Sequence, residues 1–237
     1  MADWDNVSIQ YDRIFLESPL YVDTIRTLTE HIDEGNGMSF LDIGCGTGNV
    51  ISAILKRFSA AKVCGVDSSR GMVETCSERF SEDERVSVFE GDARLLPFQD
   101  NSFDCVTCHL VLHHIKPEER ICCAKEIARV LKPNGVLVYA DMFCDVPGEV
   151  ENPERCRDII SKIVNTALYC LDHGAFEMML LMLETLPADI KQEGEYLSTV
   201  DEWIEALTQS GFAEFNVVEV PPEELGVRIL KSRLKAS

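Results

Sequence analysis

Between residues 38 and 141, five short apolar runs alternate with stretches whose apolar residues recur at helical spacing, and this alternation constrains the fold more than any other feature. Strands separated by helix-length segments imply crossover connections and therefore a parallel sheet. The strand candidates are Ser39 to Ile43, Lys62 to Val66, Val86 to Glu90, Phe103 to His109 and Val136 to Ala140. Val50, Ile51, Ile54, Leu55 and Phe58 mark one intervening helix; Ile121, Ala124, Ile127, Ala128 and Leu131, behind Pro117, mark another. Right-handed crossovers then place helices on both faces of the sheet. Pro133-Asn134-Gly135 ends the second helix and leads directly into the fifth strand.

The flanks read as additions to this core. Leu20, Ile25, Leu28 and Ile32 predict a helix from Pro19 to the turn Gly35-Asn36-Gly37. Downstream, Pro153 opens a helix with one apolar stripe, Cys156 to Leu171, and a break at His173-Gly174 precedes Phe176 to Leu183. That second run is apolar around its whole circumference, which predicts cover on all sides. Thr199-x-x-Glu202 reads as a capping box for a helix through Trp203, Ile204 and Leu207 that closes at Gly211, and strand-like runs Phe215 to Val220 and Gly226 to Leu230 follow. One domain is expected. Residues 1–37 form an N-terminal helical cap, 38–144 the core, 145–197 an insertion over the crevice, and 198–237 the last helix and edge strands.

The charge is −19, and residues 145–224 alone carry −14. That sign disfavours gripping a phosphate backbone, so nucleic acid is not the expected partner. No apolar run approaches the roughly 20 residues that span a bilayer, and Met1-Ala2-Asp3-Trp4-Asp5 lacks the pattern of a signal peptide, so a soluble cytoplasmic protein is expected. The ten cysteines are scattered through strands and helices, which suggests reduced thiols. Cys105 and Cys108 lie three apart on a strand and so point to opposite faces, which argues against a shared metal ion. No metal-ligand set is assigned from the sequence.

The most informative stretch is Phe40-Leu41-Asp42-Ile43-Gly44-Cys45-Gly46-Thr47-Gly48-Asn49, a strand that runs through three alternate glycines into a helix. Glycine permits positive φ and close ligand approach. The dinucleotide fingerprint is broken because its sixth place holds Asn49, and no lysine is present to hold a nucleoside triphosphate. Asp42, just before the turn, repels pyrophosphate and suits a cationic ligand. Asp67 ends the second strand, where a carboxylate can accept two ribose hydroxyls, and Asp92 follows the third. Each acid could instead cap a turn or helix. Three in register with a glycine turn suit a ligand with a ribose, an adenine and a positive charge, as in S-adenosylmethionine.

These motifs, with Gly65-Val66-Asp67-Ser68-Ser69, Gly91-Asp92-Ala93-Arg94-Leu95-Leu96-Pro97-Phe98, Ser102-Phe103-Asp104 and Leu131-Lys132-Pro133-Asn134-Gly135, resemble the class I S-adenosylmethionine-dependent methyltransferases. The likeness is strongest to the small-molecule branch that includes the ubiquinone and menaquinone biosynthesis enzymes. It implies an α/β fold: a doubly wound, mostly parallel seven-stranded Rossmann-like sheet with an antiparallel edge. It also implies that Asp42, Gly44, Cys45 and Gly46 hold the methionine part, that Asp67 binds the ribose with Ser68 and Met72 beside the adenine, and that Asp92 with Ala93 reads the adenine amino edge. His109 would then end the strand facing the sulfonium, and Tyr11 would close over the methionine end.

Tyr11, His109 and His113 are the catalytic candidates, although a histidine at the position of His113 or His114 could equally be packed or solvated. The expected reaction is in-line methyl transfer to a small molecule. A protein or tRNA acceptor, or a non-catalytic partner subunit, is the alternative. The apolar run 176–183 is expected to form an acceptor-binding lid or to pack against a second copy of the chain.

Overall fold

The computed structural model describes residues 4–35 and 38–236. Its seven strands are β1 (Ser39–Ile43), β2 (Lys62–Asp67), β3 (Val86–Glu90), β4 (Phe103–His109), β5 (Leu131–Met142), β6 (Phe212–Glu219) and β7 (Val227–Leu234). They form one sheet in the order β3-β2-β1-β4-β5-β7-β6. β1 to β5 pair in parallel, whereas β7 runs antiparallel to both β5 and β6. The order reverses between β1 and β4. An open α/β sheet binds ligands at such a switch point, beyond the carboxyl ends of its strands.

The helices are α1 (Trp4–Phe15), α2 (Pro19–Glu30), α3 (Asn49–Arg57), α4 (Arg70–Arg79), α5 (Arg120–Val130), α6 (Pro153–Asp172), α7 (Phe176–Lys191) and α8 (Val200–Gln209). Side-chain alternation along β1 divides the core: Phe40 faces Leu28, Ile51 and Ile54 on one side, while Leu41 and Ile43 join Ile127, Trp203 and Leu207 on the other. Cys105 and Cys108 fall into these separate cores, as alternation requires. A third, smaller cluster ties Ile159 and Ile163 of α6 to Cys144 and Leu197.

The structure departs from the sequence reading at several points, and β7 also runs on to Leu234, beyond the expected Leu230. Two helices stand at the N-terminus, and α2 stops at Glu30; Asn36 and Gly37 of the expected turn lie outside the described residues. β5 begins at Leu131, and the register shift between Phe103 and Cys105 opposite it lets Asn134 take φ +65°. β6 begins at Phe212 with a similar shift near Glu214, whose φ is +56°. The expectation that 176–183 is covered on all sides is wrong. Phe176, Leu180 and Leu183 are 54, 47 and 44% exposed, because α7 continues to Lys191 and lays only one side on α6 and α1.

Candidate functional site

The glycine turn leaves β1 with Gly44, Gly46 and Gly48 at φ +67°, +52° and +89°, a region that penalises side chains. A Cβ on Gly44 would overlap Val111. At Gly46 the nearest atom to such a Cβ is Tyr11 Cε1, 4.0 Å away, so space remains above the backbone for a ligand. The turn is fixed from β2: the Gly44 and Cys45 amides donate to the Val66 carbonyl at 2.7 and 3.1 Å, and the Gly46 amide donates to Asp67 Oδ2 at 2.9 Å. Asp67 Oδ1 accepts from the Ser69 amide at 2.9 Å, and Ser69 Oγ caps α4 at the Met72 amide. Asp67 therefore joins the glycine turn to the next helix. Burial raises its pKa despite these donors.

Asp42 is 1% exposed. Its Oδ1 accepts from Thr107 Oγ1 at 2.7 Å, but its Oδ2 is buried without a hydrogen-bond partner. Burial pushes its pKa up to about 7, against the Thr107 hydrogen bond that lowers it. An orphaned carboxylate oxygen at the end of β1, beside an open glycine cradle, fits a ligand that brings a positive charge. Asp92 is placed differently. Its carboxylate takes the Arg94 guanidinium in a two-point contact, with Nε 2.9 Å from Oδ1, and the Arg94 amide donates to the same oxygen at 2.8 Å. Arg94 also reaches Glu119 at 2.7 Å, so Asp92 is charge-paired in this state. Ser68 is exposed and Met72 buried; Ala93 packs at the edge of the second core.

Tyr11 does reach the turn. Its ring stacks on Phe15 at 4.0 Å and lies over Gly46. Residues the sequence reading passed over hold it there. Asn49, at the broken sixth place of the fingerprint, donates to Asp12 Oδ1 at 2.9 Å and to the Tyr21 hydroxyl at 3.3 Å, and accepts from Arg79 at 2.9 Å. Thr47 donates to the same Asp12 oxygen at 2.5 Å. Asn49 thus replaces the fingerprint's helix-packing glycine with a clasp for α1, and its identity at that place was the available signal. Tyr21 also packs edge-on against His109 at 4.9 Å. His109 is buried with an unpartnered Nε2, and burial lowers its pKa to about 4, so the ring is neutral at pH 7.

A cavity of about 130 Å³ lies between the N-terminal helices, the ends of β4 and β5, and the α6–α7 pair. Tyr11, Phe15 and Tyr21 wall one side and Ile163, Met178, Leu181 and Met182 another, while His113, His114, Asp141, Asp189 and Glu195 supply its polar end. Asp141 is fully buried and accepts from His113 Nδ1, the Tyr139 hydroxyl, and the His113 and Met142 amides at 2.7 to 3.2 Å. Burial opposes a charge on His113, but the Asp141 carboxylate outweighs it and raises the pKa to about 9. As a base in the free chain, His113 is therefore already occupied by its proton. The sequence did not show this, because Asp141 reads as the end of a strand and Glu195 lies 82 residues further on than His113.

Residues 40–135 match the family model described as a methyltransferase domain. A demethylmenaquinone methyltransferase of Staphylococcus aureus (strain MRSA252) is 35% identical over 138 residues, 57% of this chain and 56% of that protein. The chain thus spans about half the length of the curated relatives it matches. Among solved structures, a chain from the complex of the Haloferax volcanii Trm112 methyltransferase activator with a methyltransferase superposes with a TM-score of 0.67 at 16% identity, covering 99% of both chains. The phosphoethanolamine N-methyltransferase 2 of Haemonchus contortus, solved with S-adenosyl-L-methionine, gives 0.67 at 19% identity over 98% of this chain and 57% of that one. These likenesses show a common fold. The domain match, the sheet order and the glycine cradle with its orphaned acid make residues 40–135 similar to the class I S-adenosylmethionine-dependent methyltransferases.

Proposed function

We propose that the chain transfers a methyl group from S-adenosylmethionine to a small molecule held in the cavity between α6–α7 and the N-terminal helices. The observation that carries this reading is the placement of Tyr11. One ring lies over Gly46 of the cradle and also walls the cavity, so the two compartments share a boundary. When bound, the cofactor supplies a methyl group on a good leaving group, and the protein's task is positioning. In this reading Asp42, Gly44, Cys45 and Gly46 hold the methionine part. Asp67 takes the ribose hydroxyls through its remaining lone pairs, Ser68 and Met72 flank the adenine, and Asp92 with Ala93 meets its amino edge once Arg94 yields. His109, neutral and apolar-faced, closes the sulfonium side without competing for the methyl as a charged group would.

The same reading divides the chain into a cap at 1–37, a cofactor core at 38–144, an acceptor lid at 145–197 and closing elements at 198–237. Among the described residues no helix is long and apolar enough to cross a membrane. The acceptor wall is mostly apolar, with scattered hydroxyls and a charged histidine-carboxylate end, which suits a mostly hydrophobic acceptor with one polar handle. The Staphylococcus aureus relative's name points to a quinone-type acceptor for that protein, and such a molecule has this character. Methyl-labelled S-adenosylmethionine incubated with the protein and a cell extract tests the reading. Label should enter the small-metabolite fraction and depend on Tyr11 and Asp42. Label found only in protein or RNA would move the acceptor to a macromolecule, and no transfer at all would leave a binding subunit.

A further inference from the structure

The polar end of the cavity brings together two imidazoles and a buried carboxylate at spacings that a shared ion would also give. His113 Nε2 is 3.4 Å from Glu195 Oε2, and His114 Nδ1 is 3.2 Å from the same oxygen. Charge-assisted N–H···O bonds close to roughly 2.7–2.9 Å. Donors sharing one tetrahedral ion, each at about 2.0–2.1 Å from it, stand about 3.3 Å apart. The three ligand atoms all lie within 4.8 Å of one another.

Two further observations point the same way. His113 Nδ1 meets Asp141 Oδ1 at 2.7 Å, which turns Nε2 toward Glu195 and is the outer-shell carboxylate that orients a metal-bound histidine. Charge agrees as well. Asp141 and Glu195 are both buried, and a buried anion requires a compensating charge. A dication beside Glu195 and behind His113 supplies such a charge to both carboxylates.

We propose that His113 Nε2, His114 Nδ1 and Glu195 form a site for a divalent cation of the zinc class, with its open position facing the cavity. In the free chain the His114 Nδ1–H donates to the Gly194 carbonyl at 3.0 Å, a bond that the ion would replace. A sequence search for metal motifs misses the set because Glu195 comes from the segment after α7. The use of the ion rests on the methyl-transfer reading, although its binding does not. An ion there would hold an acceptor through a hydroxyl oxygen and lower that hydroxyl's pKa. The hydroxyl proton passes to solvent, the electron pair so freed drives formation of the bond to the methyl carbon, and the C–S pair stays on sulfur as the thioether departs. The acceptor class is then a phenol or enol.

Chelator-treated protein titrated with Co²⁺ and with Zn²⁺ tests this, with S-adenosylhomocysteine affinity measured on the same samples. The wild type should bind one Co²⁺ with visible d–d bands and no thiolate charge-transfer band. His114→Ala and Glu195→Gln should each weaken Co²⁺ and Zn²⁺ binding at least 100-fold. Circular dichroism and retained S-adenosylhomocysteine binding by either variant show that it is folded. 4-Nitrocatechol should shift its absorption with the metal-loaded wild type alone. No binding by the wild type, equal binding by the folded variants, or a thiolate band overturns the site. Metal binding without a nitrocatechol shift overturns the acceptor class. Loss of S-adenosylhomocysteine binding by the wild type would instead count against the methyl-transfer reading.

Discussion

Replacing Asp42 by Asn should make the protein more stable and a poorer cofactor binder, both in a pH-dependent way. The carboxyl is buried and holds its proton up to about pH 7, whereas in an unfolded chain it ionises near its ordinary value of 3.8. Between those values the unfolded state binds fewer protons than the folded one, so stability falls as pH rises. A displacement of about three units corresponds to about 4 kcal/mol above pH 7, an upper figure for a group this buried. Asn is nearly isosteric, can still accept from Thr107, and leaves one buried polar atom unpaired, as the protonated acid does. Wild type and Asp42→Asn should therefore match near pH 4 and diverge by about 2–4 kcal/mol at pH 8, with the variant the more stable. Urea unfolding across that range reads this directly. A cationic ligand reverses the preference by favouring the ionised acid. Wild-type affinity for S-adenosylhomocysteine should rise roughly tenfold from pH 6 to pH 8 as Asp42 ionises, while the variant's stays flat. Equal slopes in the two proteins, or a variant that loses stability at pH 8, would refute the reasoning.

Asp67→Ala should weaken S-adenosylhomocysteine by about 1–3 kcal/mol in calorimetry, since the ribose hydroxyls and the Gly46 amide both lose an acceptor. Asn49→Ala removes the clasp among Asp12, Tyr21 and Arg79 and should cost about 1–3 kcal/mol of stability, with faster proteolysis within α1 as the local sign. Met182→Ala should reduce turnover of an identified acceptor while leaving S-adenosylhomocysteine affinity unchanged. If it instead converts a dimer to monomers in sedimentation with turnover intact, α7 is an interface and the lid assignment fails.

The parallel core was legible because its first three strands each end at a recognisable signal: the glycine turn after Ile43, the acid at Asp67, the Gly91-Asp92 pair. Both the apolar period and the strand ends survive in one dimension. The edge was less legible. β5 and β6 each start several residues early through a bulge, and a bulge with φ > 0 at Asn134 or Glu214 looks like a turn in sequence. In the crevice, Asp42 and Asp67 stand where the glycine turn needs them, yet Asp92 is held by Arg94, two positions on, a pairing that residue types alone do not rank above ligand binding. The polar end of the cavity was invisible for a different reason. Asp141, Asp189 and Glu195 come from three separate elements, and only the return of the chain after α7 sets Glu195 beside His113 and His114. The exposed side of α7 shows the limit of period counting: an apolar circumference states that cover is favourable, not that this chain provides it.

The crevice at the β1–β4 switch point is proposed to take an S-adenosyl ligand and not a dinucleotide. Calorimetric titration of the folded protein with S-adenosylhomocysteine and, separately, with NADH tests it most directly. The expected result is a saturable one-to-one isotherm with the adenosyl compound, abolished or strongly weakened by Asp67→Ala, and no heat of binding with NADH. Binding of NADH, or silence toward the adenosyl compound from protein with a native circular dichroism spectrum, would contradict it.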